Sequence, residues 1–252
     1  MLLRSPRGGA GANGSCPVWS AFVLVAIIAT APPLSAAPRE VALGRQIAEG
    51  AVLPPEKTCA HCHGVLGIGR PQQETPRLAG QPRLYLHKQL DDFASGTRFS
   101  EKMTPIGRAL TPMQREAVAA YYASLFVIPY PEAPYGDPSL VQQGGVLSAI
   151  GDLARDIRAC EICHADAGLG IAPSFPYLAG QYADYTEKQL LLWKAGVRHN
   201  DPLDVMAQIA LRLDEQEIRA LALYFARIRP SPGALSSPIP EEPVPPPPAV
   251  SN

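Results

Sequence analysis

Cys59-Ala60-His61-Cys62-His63 and Cys160-Glu161-Ile162-Cys163-His164 are the two stretches on which the reading of this sequence turns. Both have the Cys-x-x-Cys-His spacing of c-type haem attachment. The spacing has a geometric reason. Two thiols one helical turn apart can add to the two vinyl groups of a haem, and the next residue lies beneath the iron, where its imidazole becomes the proximal ligand. Rival uses of these residues are weaker. Two Cys-x-x-Cys pairs can form a Cys₄ zinc site, but 97 residues separate these pairs, far beyond ribbon spacing. No βαβ pattern surrounds either motif, as a thioredoxin-like redox pair requires, and plain disulfides leave the following His unexplained.

Working outward, the chain repeats itself. Leu78-Ala79-Gly80-Gln81 returns as Leu178-Ala179-Gly180-Gln181, and the match runs on through Tyr85/Tyr185, Lys88-Gln89-Leu90/Lys188-Gln189-Leu190, Gly96/Gly196 and Arg98/Arg198. Upstream the offset is 101, pairing Gly44, Gly50, Cys59, Cys62 and His63 with Gly145, Gly151, Cys160, Cys163 and His164. Downstream it is 103, pairing Met103 with Met206 and Tyr121 with Tyr224. Two copies of one folding unit imply a two-domain protein rather than a solenoid, at 38–128 and 139–229. The connector, 129–138, carries four prolines, and the tail, 230–252, nine, so the first reads as a stiff tether and the second as disordered or polyproline-like.

The helical signals agree between copies. Residues 39–50 and 139–150 read as opening helices, and 84–95 and 184–195 as amphipathic ones. Thr111-Pro112-Met113-Gln114 offers a cap, a proline at the first helical position and a Gln in the capping-box place, opening a helix to about Phe126. Asp214 to Glu217 makes the equivalent start for a helix ending near Ile228. No useful β-alternation occurs, so the fold class is all-α, with long irregular stretches after each Cys-His cluster.

Composition excludes other classes. With 22 Lys+Arg against 23 Asp+Glu there is no basic excess to neutralise phosphates, so no nucleic acid is expected as a partner. A 46% hydrophobic share excludes wholesale disorder, while 7% aromatics is sparse for two domain cores and leaves room for something other than side chains inside. Arg4 and Arg7 precede a fourteen-residue apolar run, Val18 to Ala31, followed by Pro32-Pro33 and by Ser35, Ala36 and Ala37. That is a signal peptide, residues 1–37, cleaved after Ala36 or Ala37; the run is short of the roughly 20 residues that span a bilayer, the rival being an uncleaved anchor. The mature protein is then exported. Cys16 leaves with the signal, and the other four cysteines, in an oxidising compartment, must be paired, metal-bound or covalently modified.

A haem iron held by one His has an open axial position, and its sixth ligand separates a carrier from a catalyst. Met103 lies 40 residues after His63, and Met206 lies 42 after His164, at matched positions of the repeat. Thioether ligation favours ferrous iron and closes the site to peroxide and oxygen. The alternatives are that these methionines fill core gaps, or that Met113, which has no counterpart in the second copy, is the first ligand. His61 sits two residues before His63, too early to replace it, and points outward, and His87 and His199 read as surface residues. Arg98 and Arg198 are either partners of haem propionates or ordinary solvated charges.

The order Cys-x-x-Cys-His, Pro-x-Leu-Ala-Gly-Gln, Tyr, Lys-Gln-Leu, Gly-x-Arg, Met and a terminal aromatic helix, run twice over residues 39–229, resembles the dihaem cytochrome c4 family of class I c-type cytochromes. The resemblance implies two tandem cytochrome c folds, each wrapped around one covalent haem c. It also implies a periplasmic electron carrier of a respiratory chain that takes electrons from a donor complex and passes them to a terminal oxidase or other acceptor. Cys59, Cys62, Cys160 and Cys163 would anchor the haems, and His63/Met103 and His164/Met206 would ligate the irons. The carbonyls of Pro76 and Pro176 would accept the hydrogen bonds of His63 and His164. Ala165-Asp166 departs from the family pattern, which has Gly after the His. Two other readings stand beside the carrier: a cytochrome subunit of a periplasmic dehydrogenase or oxidase complex, associated through the tail, and a dihaem peroxidase-type enzyme. Residues 38–128 hold 11 basic and 8 acidic side chains and residues 139–229 hold 9 and 11, which makes the molecule an electric dipole for steering partners, unless the uneven charge has no role.

Overall fold

The computed structural model describes residues 36–71, 74–125, 130, 132–171 and 174–229. Cys16, nearly all of the signal peptide and the whole 230–252 tail lie outside the described residues.

Ten α-helices lie among the described residues, five in each half. The first half runs α1 (Ala36–Gln46), α2 (Cys59–His63), α3 (Arg83–Ser95), α4 (Met103–Ala109) and α5 (Pro112–Ala123). The second runs α6 (Pro138–Ile150), α7 (Glu161–His164), α8 (Ala183–Lys194), α9 (Val205–Arg212) and α10 (Glu215–Arg227). No strand occurs among them, only isolated antiparallel bridges such as Arg70 with Thr75 and Ile171 with Phe175.

In each half the first and last helices cross and pack, α1 on α5 and α6 on α10. Glycine makes the crossing possible. A Cβ on Gly44 would lie 1.9 Å from the Ala117 carbonyl oxygen, and one on Gly144 would lie 2.2 Å from that of Ala220. The structural partner of Gly44 is therefore Gly144, not Gly145; the sequence pairing slips by one residue here because two adjacent glycines are available and only packing distinguishes them. The middle helices close the bundles, α3 on α4 and α5, and α8 on α9 and α10.

Local chemistry sets the helix ends. At α5, Thr111 accepts from the Gln114 N–H while the Gln114 side chain accepts from the Thr111 N–H, with Pro112 at the first position. At α10, Asp214 and Glu217 make the same reciprocal pair. Helix α3 stops at Gly96, whose φ of 92° only glycine adopts readily. Helices α4 and α9 carry too few residues for a periodic signal and were not evident in the sequence.

The two halves meet across a buried polar seam. Arg98 and Arg198, read from sequence as either propionate partners or solvated charges, are only 7% and 5% exposed, so the solvated reading is wrong. Arg98 donates to Gln89 Oε1 at 2.7 Å, and across the seam to Gln189 Oε1 at 2.7 Å and Tyr185 Oη at 3.0 Å. Arg198 donates to Gln189 at 2.8 Å and back across to Gln89 at 3.2 Å. Each guanidinium also covers an aromatic ring, Phe93 at 4.7 Å and Trp193 at 3.8 Å.

Candidate haem sites

Each Cys-x-x-Cys-His motif forms a single helical turn, which puts its two sulfurs on one side and the His at its end. In α2 the turn is capped, Thr58 Oγ1 accepting from the His61 N–H at 3.0 Å. In α7 no side chain caps the turn. The four motif cysteines are half-buried and form no disulfide. Burial pushes the Cys59 and Cys160 thiols up to about 11. No group of three or more His, Cys, Asp or Glu side chains among the described residues could hold a metal ion, so the Cys₄ zinc arrangement has no site.

His63 and His164 are both buried. His63 Nδ1 lies 3.0 Å from the Pro76 carbonyl oxygen, and His164 Nδ1 lies 2.9 Å from that of Pro176. A carbonyl only accepts, so Nδ1 carries the hydrogen and Nε2 presents its lone pair. Burial pushes the His63 pKa down to about 4 against the upward pull of the Pro76 bond, and burial lowers that of His164 as well. Both rings are therefore neutral near pH 7, the form that binds a metal.

The loops that carry these carbonyls are alike. The His63 oxygen accepts from Gly69 N–H at 2.8 Å and the His164 oxygen from Gly170 N–H at 2.7 Å. Gly67 accepts from Leu78 and Ala79, and Gly168 from Leu178 and Ala179. The residue after each His takes a positive φ: 75° at Gly64 and 59° at Ala165, the position where the family pattern is broken.

Met103 is half-buried at the first position of α4, its N–H donated to Ser100 Oγ at 3.2 Å. Met206, the second residue of α9, packs with Cys160 against one apolar cluster built on Leu147, Leu190 and Ile218. Cys59 packs on the corresponding first cluster, to which Met103 does not belong among the described residues. Met113, the rival to Met103 as the first ligand, lies at the start of α5 and is 71% exposed. His61 and His199 are exposed as expected, whereas His87 is half-buried and lies 3.4 Å from Asp91.

These residues fit a covalently bound haem in each half. Paired thiols flank a neutral imidazole with a free Nε2, and the buried indole N–H of Trp193 has no acceptor among the described residues, a donor suited to a carboxylate. Sequence reading missed the role of Gln81 and Gln181. Both are buried and bond across the seam, and their signal was present in the repeated Leu-Ala-Gly-Gln block.

The family described as Cytochrome c matches residues 47–126. The thiosulfate dehydrogenase electron acceptor of Stutzerimonas stutzeri (strain A1501) is 41% identical over 182 residues, 71% of this chain and 83% of that protein. Reduced recombinant cytochrome c4 from Pseudomonas stutzeri matches in structure with a TM-score of 0.65, at 34% identity over 75% of this chain and 98% of that one. Thiosulfate dehydrogenase (TsdBA) from Marichromatium purpuratum matches with a TM-score of 0.68 at 38% identity over 75% of this chain, which spans only 40% of that one.

Proposed function

The chain belongs to the dihaem cytochrome c4 family, and from that premise we propose that it is a periplasmic carrier that accepts electrons from a dehydrogenase and passes them to a terminal oxidase or other acceptor. It is an electron-transfer protein rather than an enzyme, and its cofactors are two covalent haem c groups. Proteins of this family are generally periplasmic, and the segment 1–37 read as a signal peptide supplies the route.

In this reading Cys59 and Cys62 would hold one haem and Cys160 and Cys163 the other, and His63 with Met103 and His164 with Met206 would bind the two irons. The haem supplies a one-electron iron couple. The chain holds both imidazoles in one tautomer through Pro76 and Pro176, buries them from water, and supplies a thioether that favours the ferrous state. The observation that carries the reading is the matched pair of His Nδ1 to Pro carbonyl bonds, each beside its own pair of thiols.

A dehydrogenase as donor is supported by the likeness to an electron acceptor of thiosulfate dehydrogenase and to one part of a longer dehydrogenase chain. The test combines a pyridine haemochrome count, the far-red band of sulfur coordinated to ferric iron, and stopped-flow mixing with reduced thiosulfate dehydrogenase. Two haems per chain, a far-red band and fast reduction are expected. Rapid binding of CO by the native ferrous protein would instead favour the peroxidase-type enzyme, and no reduction by the dehydrogenase would remove that donor.

A further inference from the structure

The Leu-Ala-Gly-Gln blocks place Gln81 and Gln181 at turns whose N–H groups bond back to Leu78 and Leu178, both at 3.1 Å. Gly80 and Gly180 make those turns with φ of 76° and 66°. The glutamine side chains then leave their own half. Gln81 Oε1 accepts from the Tyr177 N–H at 3.0 Å, and Gln81 Nε2 donates to the Tyr177 carbonyl at 2.6 Å. Gln181 Oε1 accepts from the Arg77 N–H at 2.9 Å, and Gln181 Nε2 donates to the Arg77 carbonyl at 2.9 Å. Each side-chain amide thus pairs with a backbone residue as a neighbouring β-strand would, and all four residues are buried.

The residues so gripped have a particular place in the chain. Arg77 follows Pro76, and Tyr177 follows Pro176, the two prolines whose carbonyls hold His63 and His164. We infer that Gln81 and Gln181 are crossed positioning residues: Gln81 fixes the backbone that orients the His of the second half, and Gln181 fixes the backbone that orients the His of the first. The Pro carbonyl and the N–H of the next residue share one peptide plane; a buried hydrogen bond to that N–H, with a second to the carbonyl one plane further on, leaves the Pro carbonyl little freedom to tilt, and the Nδ1–H···O bond sets how much electron density the imidazole offers its metal. The two grips differ in one respect. Gln181 Oε1 also accepts from its neighbour Tyr182 N–H at 3.0 Å, whereas Gln81 is followed by Pro82, which has no N–H to offer. The first half's His is therefore gripped through an oxygen with a second donor already bound.

This inference rests on the dihaem reading, and the experiment separates the two. Gln81→Leu and Gln181→Leu are made in the full-length protein matured with its haems, and the two site potentials and the Nδ1–H resonances of His63 and His164 are measured by paramagnetic NMR. Loss of the grip weakens the Nδ1–H···O bond, so Gln181→Leu is expected to raise the first site's potential and shift the His63 signal, with the His164 signal unmoved. Gln81→Leu is expected to do the reverse, and Gln→Glu, which keeps the accepting oxygens, to fall between. Shifts confined to the half that carries the substitution, equal shifts in both halves, or no shift would each overturn the crossing while leaving two haems per chain intact. Should either variant fail to mature, hydrogen exchange in the native protein decides. The Arg77 and Tyr177 amides are expected to exchange as slowly as those of α5 and α10, and exchange as fast as at solvent-exposed loop amides would overturn the inference.

Discussion

The two halves share one plan and hold it in different ways. After His63 the chain turns through Gly64, where an added Cβ would meet open space, so only the backbone conformation asks for glycine. After His164 the same turn is made by Ala165 at φ 59° and ψ 170°, a region that costs a residue with a side chain about 1–3 kcal/mol. The contrast extends further. Of the six non-glycine residues with positive φ among those described, only Glu74 is in the first half; Asp156, Ala165, Ala167, Leu203 and Asp204 are in the second. Leu203 and Asp204 lie just before α9, the helix that carries Met206. Packing and capping differ as well: Met206 and Cys160 share the apolar cluster of the second half, whereas Met103 is not among the described residues of the first cluster, and the α10 cap is charged where that of α5 is neutral. Duplication preserved the sites while the strain around them drifted apart.

The largest expected effects come from the two methionines. Met103→Ala and Met206→Ala should each remove about half of the far-red band and let that half's ferrous site take up CO, because a thioether no longer closes it. Met206→Ala should also destabilise its half, toward the low end of the about 2–5 kcal/mol range for Met→Ala in cores, since Met206 is only partly buried there. Met103→Ala should cost less in denaturant melts followed half by half. Equal destabilisation by both would break the comparison.

Exchanging the residue after the proximal His should be the next in size. Ala165→Gly is expected to stabilise the second half, and Gly64→Ala to destabilise the first, each by about 1–3 kcal/mol in urea titrations. A destabilising Ala165→Gly would mean that the methyl group makes contacts worth more than the strain it imposes.

The helix caps give a smaller, pH-dependent difference. The α5 cap, Thr111 with Gln114, is neutral, whereas the α10 cap uses Asp214 and Glu217, and Arg155 grips both Glu217 oxygens. The Arg155 guanidinium holds the Glu217 carboxyl below its usual value of 4.5. A carboxylate favoured by the fold stabilises fully above its unfolded pKa, and that contribution fades as pH falls through the lower folded value. Slow amide exchange in α10 should therefore be lost on acidification below about pH 4.5 while α5 holds, and Glu217→Gln should flatten the difference at a cost of about 1 kcal/mol at pH 7. Parallel loss in both helices would show that the two caps respond alike.

Much of this was legible in the chain itself. The cysteine spacing, the repeat and the two capping boxes are local signals, and the helices they open begin where expected, at Pro112 and Glu215. The His to Pro carbonyl bonds followed from family resemblance and are present at 3.0 and 2.9 Å. What stayed hidden depends on residues distant in sequence. Helices α4 and α9 are too short to show a period. The fate of Arg98 and Arg198, and the crossing of Gln81 and Gln181, become visible only when the halves meet, because an amide or guanidinium reads the same whether its partner is water or another domain.

On the proposed function each half of the chain carries its own covalently attached haem, held by its own pair of cysteines. Intact-protein mass spectrometry of chain matured in a host competent for c-type haem attachment tests it most directly. A mass equal to the processed polypeptide plus two haems is the predicted result; a bare polypeptide, or one that carries a single haem, would contradict it.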